Sequence, residues 1–139
     1  MEVSGVAGSI TALSAVTGKT KELKDKISML SLDEKDMVKN DEAINYSGYD
    51  EKKSYINSQI KQILRAFNTE CDYLFSSLNT RNYENYHNKI VRSFETLNRI
   101  YKVDKVEITR GYLQIKLEKL NLINERAIKI GQEKELQRE

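Results

Sequence analysis

The chain of 139 residues contains no proline. Proline lacks a backbone N–H and its ring clashes with the preceding turn of a helix, so it is the residue that most strongly breaks α-helices. A proline-free chain of this length therefore favours long, uninterrupted helices. The length suits one domain with a single modest hydrophobic core.

The clearest helical pattern lies in the middle of the chain. Asp50 is a suitable N-cap, and after it apolar residues recur at steps of three and four over about six turns. This spacing predicts one amphipathic helix, which ends before a connection at residues 79–82. The apolar series is Ile56, Ile60, Ile63, Leu64, Phe67, Cys71, Leu74, Phe75 and Leu78.

Three further helices are expected. Residues 20–39 predict a first helix with a short apolar stripe, and residues 40–49 have the composition of a loop. A third helix ends near Lys102, and Thr109 is a natural N-cap for a fourth. Between them, residues 103–108 alternate, which indicates an extended connector that buries Val106 and Ile108. The inward positions expected for the third and fourth helices are Tyr86, Ile90, Val91, Phe94, Leu97 and Tyr101, then Tyr112, Leu113, Leu117, Leu120, Ile123 and Ala127.

The expected fold is all-α: an antiparallel bundle of three to four helices with a charged C-terminal helix that extends into solvent. Residues 1–45 are expected to be a weakly structured lead-in with one short helix, and residues 46–130 the bundle. Residues 131–139, GQEKELQRE, keep strong helix formers but lose the apolar stripe. They predict the start of a charged helical linker that continues beyond residue 139 to a further domain.

Catalytic signatures are missing from the sequence. It holds neither a G-x-x-x-x-G-K-[ST] loop nor a G-x-S-x-G turn, and its single histidine, His87, excludes an H-E-x-x-H zinc motif. Cys71 falls on an apolar helix face, where a thiol behaves as a small hydrophobe. We therefore expect no catalytic residue, no metal site and no cofactor in this chain.

One polar constellation lies beside the apolar stripe of the second helix. Arg65, Asn68 and Asp72 follow i, i+3, i+7 spacing and share one flank. Asn is a poor helix former in mid-helix, so Asn68 needs a reason to be there. The first interpretation is a half-buried polar network that fixes helix packing, and the second is a recognition patch for a partner protein.

A second set of residues suggests nucleic-acid binding as an alternative. Five cations on and around the third helix could contact phosphates, and tyrosines interleaved with Lys and Arg could stack on bases. The net charge of +2 and the pI near 8.5 are mild for such a protein. The five cations are Arg81, Lys89, Arg92, Arg99 and Lys102; the tyrosines weighed are Tyr46, Tyr49, Tyr55, Tyr83, Tyr86, Tyr101 and Tyr112.

The cellular compartment is inferred from two features, the lack of a membrane-spanning segment and the single free cysteine. No segment has the roughly 18 apolar residues that a membrane span needs. The single cysteine cannot form an internal disulfide, and a free thiol suits a reducing compartment. We expect a cytoplasmic location, including the inner face of the membrane.

Several stretches together resemble a helical domain of unknown function found in bacterial anti-phage and phage proteins. They are RAFN-x-ECD at residues 65–72, F-x-x-[IL]-N at residues 94–98, and Y-L-x-x-K-L at residues 112–117. The resemblance covers roughly residues 50–139, whereas residues 1–45 fit the family poorly. In that family the domain precedes a GIY-YIG nuclease domain of the T5-phage open-reading-frame type, joined by a long charged helix.

The resemblance implies a non-catalytic recognition, targeting and scaffold domain of a phage-defence nuclease. No GIY or YIG tripeptide occurs in the chain, so the nuclease would lie downstream. The implied partner is a phage component or a host envelope protein, and nucleic acid would be bound mainly by the nuclease domain. A homo-oligomer formed through the C-terminal helix is a further expectation.

Overall fold

The computed structural model describes residues 2–48 and 53–138, with side chains from residue 11 onward. Asp50, the predicted N-cap, and Tyr49 lie outside the described residues. The all-α fold is confirmed: within the described residues, four helices form the body of the domain and one two-stranded ribbon joins them. The elements are α1 Glu2–Lys39, β1 Ile44–Tyr46, α2 Lys53–Ser77, α3 Tyr83–Ile100, a 3-10 turn Tyr101–Asp104, β2 Val106–Ile108 and α4 Arg110–Arg138.

The hydrophobic core lies between α2, α3, α4 and the ribbon. Four of the nine apolar positions predicted on α2 are buried in it, and four more are half-buried against it. Phe67 packs against Tyr112 of α4 with their ring centroids 6.0 Å apart. Because the buried residues of α2 recur every three or four positions, one face of that helix is closed off from solvent. The buried core residues are Ala43, Ile63, Phe67, Cys71, Leu74, Ile90, Val106, Ile108, Tyr112, Leu113 and Leu120.

The first helix is much longer than predicted, and it packs antiparallel along α4. It begins at Glu2 instead of near residue 20 and runs for 38 residues. Its docking explains the length: Ala12, Leu13 and Val16 are half-buried, because α4 supplies a surface for a stripe too weak to be seen as helical alone. Beyond Ile130, α4 continues as the predicted charged helix, with most of its side chains exposed.

The stretch expected to be an unpaired connector is a β-strand. Ile44, Asn45 and Tyr46 pair antiparallel with Ile108, Glu107 and Val106. The loop expected at residues 40–49 therefore contains β1, and the prediction that residues 103–108 need no partner strand was wrong. The alternation was real, however, because Val106 and Ile108 are buried and Glu107 is exposed.

Side-chain caps fix the ends of two connections. The Tyr112 backbone N–H donates to Thr109 Oγ1 at 3.2 Å, which confirms Thr109 as the N-cap of α4. In the α2–α3 connection, the Asn79 N–H donates to Asn82 Oδ1 and the Arg81 N–H donates to Asn79 Oδ1, both at 2.9 Å. These two bonds hold the α2–α3 connection in a tight turn, which sets α3 beside α2.

Candidate recognition groove between α2 and α3

A buried ion pair ties α1 to α4. Lys116 Nζ donates to Glu34 Oε2 at 3.0 Å, and Lys119 Nζ lies 3.3 Å from Glu34 Oε1. Lys116 is 1% exposed, so its ammonium lies within the core. Asp33 and Asp36, which flank Glu34 on α1, are exposed. Local spacing does not set Glu34 apart from them, because the cations that bury it come from a helix 82 residues away.

The ion pair continues into a chain of polar and aromatic contacts. Lys116 Nζ lies 4.9 Å from the centre of the Tyr112 ring, and the Tyr112 hydroxyl donates to Asn68 Oδ1 at 2.7 Å. Burial raises the pKa of Tyr112. For Lys116, burial alone would lower the pKa, but the nearby Tyr112 and Glu34 offset it and the pKa is raised. The chain from Glu34 to Asn68 thus holds α1, α4 and α2 together.

The structure separates the three residues singled out on α2. Asn68 is half-buried and faces Tyr112, as the packing interpretation expects. Arg65 and Asp72 are exposed. Arg65 borders an open depression on the outer side of α2, together with Gln62, Ala66, Thr69, Glu70, Tyr73 and Tyr101. Their role in partner binding stays a prediction.

That depression joins a second one between α2 and α3. Glu70 and Tyr73 line both, so the two form one continuous surface, which we call the α2–α3 groove. On the α3 side it is bordered by Lys89 and Arg92. One residue of the recognition set and two of the nucleic-acid set therefore meet in a single groove, a convergence that neither spacing pattern indicated.

Tyr73 is the groove residue that the sequence reasoning missed. It is 64% exposed and stands at the junction of the two depressions. Tyr73 is the one tyrosine of the sequence that was not among the candidates for base stacking. Its position on α2, away from the apolar stripe, could have indicated a contact surface. A large aromatic ring on the polar face of a stable helix stays exposed and is available to a partner.

The floor of the groove is polar and fixed. Ser93 is buried and its hydroxyl donates to Glu70 Oε2, which joins α3 to α2 below Tyr73. Thr96 and Leu97 complete the α3 wall. The groove thus offers an aromatic ring, guanidinium groups on both sides and one carboxylate, on two helices that the Ser93–Glu70 bond holds together.

The remaining predicted cations do not reach this groove. Arg99 and Lys102 border a separate hollow beside the β-ribbon, where they are joined by Lys105. Arg81 is exposed in the α2–α3 connection. The five residues of the nucleic-acid set are therefore divided over more than one surface, and they do not form one basic stripe.

The groups that could carry chemistry are placed as packing residues. Cys71 is fully buried, and burial raises the pKa of its thiol to about 12 despite the opposing charge of Lys116. His87 is half-buried beside Tyr83, with ring centroids 6.2 Å apart. Across residues 2–48 and 53–138, no three His, Cys, Asp or Glu side chains cluster in a way that could hold a metal ion. In the same part of the chain, every helix is too short or too polar to cross a membrane.

Comparison with known proteins gives one match. The family model described as the SNIPE-associated domain matches residues 20–130, and the chain therefore belongs to this family. The family is a helical domain associated with GIY-YIG nucleases. The match begins inside α1, so the expectation that residues 1–45 fit the family poorly was wrong for the second half of α1. No curated protein and no solved structure matches the chain.

Proposed function

We propose that this member of the SNIPE-associated domain family is a non-catalytic recognition and scaffold domain. It positions a GIY-YIG nuclease, carried downstream in the same protein, through protein contacts made by the α2–α3 groove. The work of the whole protein would be defence against phage, in the cytoplasm or at the inner face of the membrane. The partner would be a phage component or a host envelope protein.

The observation that carries the proposal is the exposed Tyr73 with Arg65 and Arg92 in the same groove. Tyrosine and arginine are enriched among the few residues that supply most of the binding energy in protein interfaces. They combine an apolar body with polar tips and can contact apolar and acidic groups together. The groove also carries the carboxylate of Glu70, so it can contact basic as well as acidic side chains of a protein partner.

The second argument is the way the groove is supported. Its α2 wall is fixed from behind by the Asn68–Tyr112 hydrogen bond, and its floor by the Ser93–Glu70 bond. A preorganised surface loses little conformational entropy on binding. A domain built in this way can hold a partner in a defined orientation relative to α4, the helix that leads toward the C-terminus.

Photo-crosslinking at the groove tests the protein contact. A photoreactive phenylalanine analogue is placed at residue 73 and, as the control, at residue 29, because Tyr73 and Met29 are exposed to the same degree, 64% and 65%. In phage-infected cells we expect a protein adduct at residue 73 that is absent at residue 29 and is weakened by Arg65→Ala. Equal labelling at both positions, or an adduct with nucleic acid alone, would overturn the proposed contact.

The gene tests the other half of the proposal. A GIY-YIG domain encoded downstream of residue 139 in the same reading frame would support the scaffold role. A stop codon directly after that residue would contradict it, because the domain would then have no nuclease to position in its own chain.

A further inference from the structure

The hollow beside the β-ribbon lies apart from the α2–α3 groove. Its described lining includes Arg99, Lys102 and Lys105 as cations and Glu107 as the carboxylate. Asn45 and Ser47 of the opposite ribbon strand and its extension complete the polar wall. The carboxylate is engaged: Asn45 Nδ2 donates to Glu107 Oε1 at 3.5 Å. The hollow is therefore cationic on balance.

The three cations reach the hollow from three different backbone settings. Arg99 lies in the last turn of α3, Lys102 lies in the 3-10 turn Tyr101–Asp104, and Lys105 follows that turn. All three nevertheless line the same hollow. We call these three residues the cation cluster.

Lys105 holds its place in an unfavourable conformation. Its φ is 60° and its ψ is 31°, the left-handed region that Gly adopts readily and most other residues avoid. The conformation is imposed from two sides, since the Lys105 N–H donates to the Lys102 carbonyl and the Ser47 N–H donates to the Lys105 carbonyl, both at 3.0 Å. A lysine where glycine would be less strained is a sign of a functional side chain.

The walls of the hollow are rigid. The Asn98 side chain bridges the Ile108 backbone in both directions: its Nδ2 donates to the carbonyl at 3.1 Å, and its Oδ1 accepts from the N–H at 2.7 Å. This clamp fixes α3 against β2. The cation cluster is therefore built on elements whose positions are fixed before any ligand arrives.

We propose that the cation cluster of Arg99, Lys102 and Lys105 binds the phosphate backbone of a nucleic acid strand. Three cations around one hollow can contact neighbouring phosphates, and phosphate contacts need no base recognition. The domain would thus have two surfaces: the α2–α3 groove for a protein, and the cation cluster for the nucleic acid that the associated nuclease cuts. Only the statement that the nuclease cuts this nucleic acid rests on the proposed function.

Fluorescence anisotropy with a labelled DNA strand, single and duplex, tests the site at about 50 mM salt. The variant is Arg99→Gln/Lys102→Gln/Lys105→Gln. The matched control is Lys21→Gln/Lys24→Gln/Lys134→Gln, three exposed lysines on the α1–α4 side that remove the same charge. We expect the first variant to weaken binding at least about tenfold, while the control stays within about threefold. Circular dichroism checks that both triple variants are folded. If Arg99→Gln/Lys102→Gln/Lys105→Gln is unfolded, the single variant Lys105→Gln replaces it in the binding measurement.

The salt dependence provides a second readout. Three phosphate contacts correspond to a slope of log K against log salt of about −2.7 for duplex and about −2.1 for single-stranded DNA, and the variant should lose most of it. Equal weakening by both variants, or no binding by the wild type, would overturn the site. An unchanged salt slope in the triple variant would also overturn the site. The same holds if the triple variant binds anionic lipid vesicles more weakly than the wild type does but binds DNA equally well. Tyr73 crosslinking should be unaffected by the variant, which separates this site from the protein contact.

Discussion

Lys116 on α4 and Glu34 on α1 form a buried ion pair, with Nζ and Oε2 3.0 Å apart. The pair lies where the long first helix meets the core, and it leads through Tyr112 to Asn68 at the back of the α2–α3 groove. Two helices that lie at opposite ends of the sequence are thereby fixed to the helix that carries the groove. These contacts therefore stabilise the domain on which the groove is built.

Removal of Glu34 should destabilise the domain strongly. Glu34→Ala leaves the Lys116 ammonium buried without its carboxylate, and breaking a buried pair in this way costs about 3 kcal/mol or more. For a domain of this size, that corresponds to a fall in Tm of roughly 6–12 °C, measured by circular dichroism. Asp33→Ala, at the exposed neighbouring position, should change stability by less than about 0.5 kcal/mol.

The double variant Glu34→Leu/Lys116→Met isolates the cause. It removes the Lys116–Glu34 pair and fills the space with apolar groups, so its Tm should rise above that of Glu34→Ala. Recovery should be incomplete, because Lys119 also loses the carboxylate of Glu34. If Glu34→Ala is as stable as Asp33→Ala, the pair is not buried in solution as described.

The hydrogen bond between Asn68 and Tyr112 should serve packing. Asn68→Ala leaves the Tyr112 hydroxyl without its acceptor in the core and should cost about 1–3 kcal/mol, whereas removing both partners in Asn68→Ala/Tyr112→Phe should cost less than the two single changes together. Chemical denaturation measures all three variants. Crosslinking at Tyr73, per folded molecule, should be unchanged in Asn68→Ala. A loss of crosslinking with full stability would instead assign Asn68 to the partner surface.

Cys71 should make the fold sensitive to alkali. Burial raises its pKa in the folded chain above the unfolded value, so the stabilising contribution is complete at low pH and is lost as pH rises. The window runs from about 8.5, the usual pKa of a thiol, to about 12. Cys71→Ala should therefore lose less stability than the wild type over this window, as measured by denaturation at each pH. Parallel curves for the two proteins would contradict this reading.

Lys105 should trade stability for binding. Lys105→Gly removes the strain of a left-handed backbone and should stabilise the domain by about 1 kcal/mol. The same change should weaken DNA binding, because it removes one cation of the cation cluster. Thermal denaturation and anisotropy together check the two effects. A variant that is less stable, or that binds as well as the wild type, would show that Lys105 is not held in place for its side chain.

The sequence was most informative where one helix buries one face. The α2 stripe and the Thr109 cap could be predicted because both depend on residues a few positions apart. The N-terminal half of α1 could not, since Ala12 and Val16 give no stripe strong enough without α4 beside them. The β-ribbon was missed for a similar reason, because strands of three residues are defined by their partner and hardly by their own composition.

The candidate site shows the same division. Arg65, Asn68 and Asp72 were predicted to share one flank of α2, but the sequence could not show that Asn68 meets Tyr112 or that Arg65 shares a groove with Arg92. These are contacts between helices, and their registers are set by packing over the whole core. Arg99 and Lys102 were among the cations predicted as phosphate contacts, whereas Lys105 was missed because it meets them only through the turn that follows α3.

Protection against phage by the full reading frame, with the purified protein's DNA cleavage measured in parallel, tests the central claim most directly. The variant Arg65→Ala/Tyr73→Ala alters the groove, and Met29→Ala/Leu32→Ala alters an equally exposed patch on α1. The account predicts that the groove variant loses at least about tenfold of the protection, as expected for a hot spot, while its cleavage rate and the control's protection stay unchanged. Full protection by the groove variant, or an equal loss of cleavage, would contradict a domain that positions the nuclease through this groove.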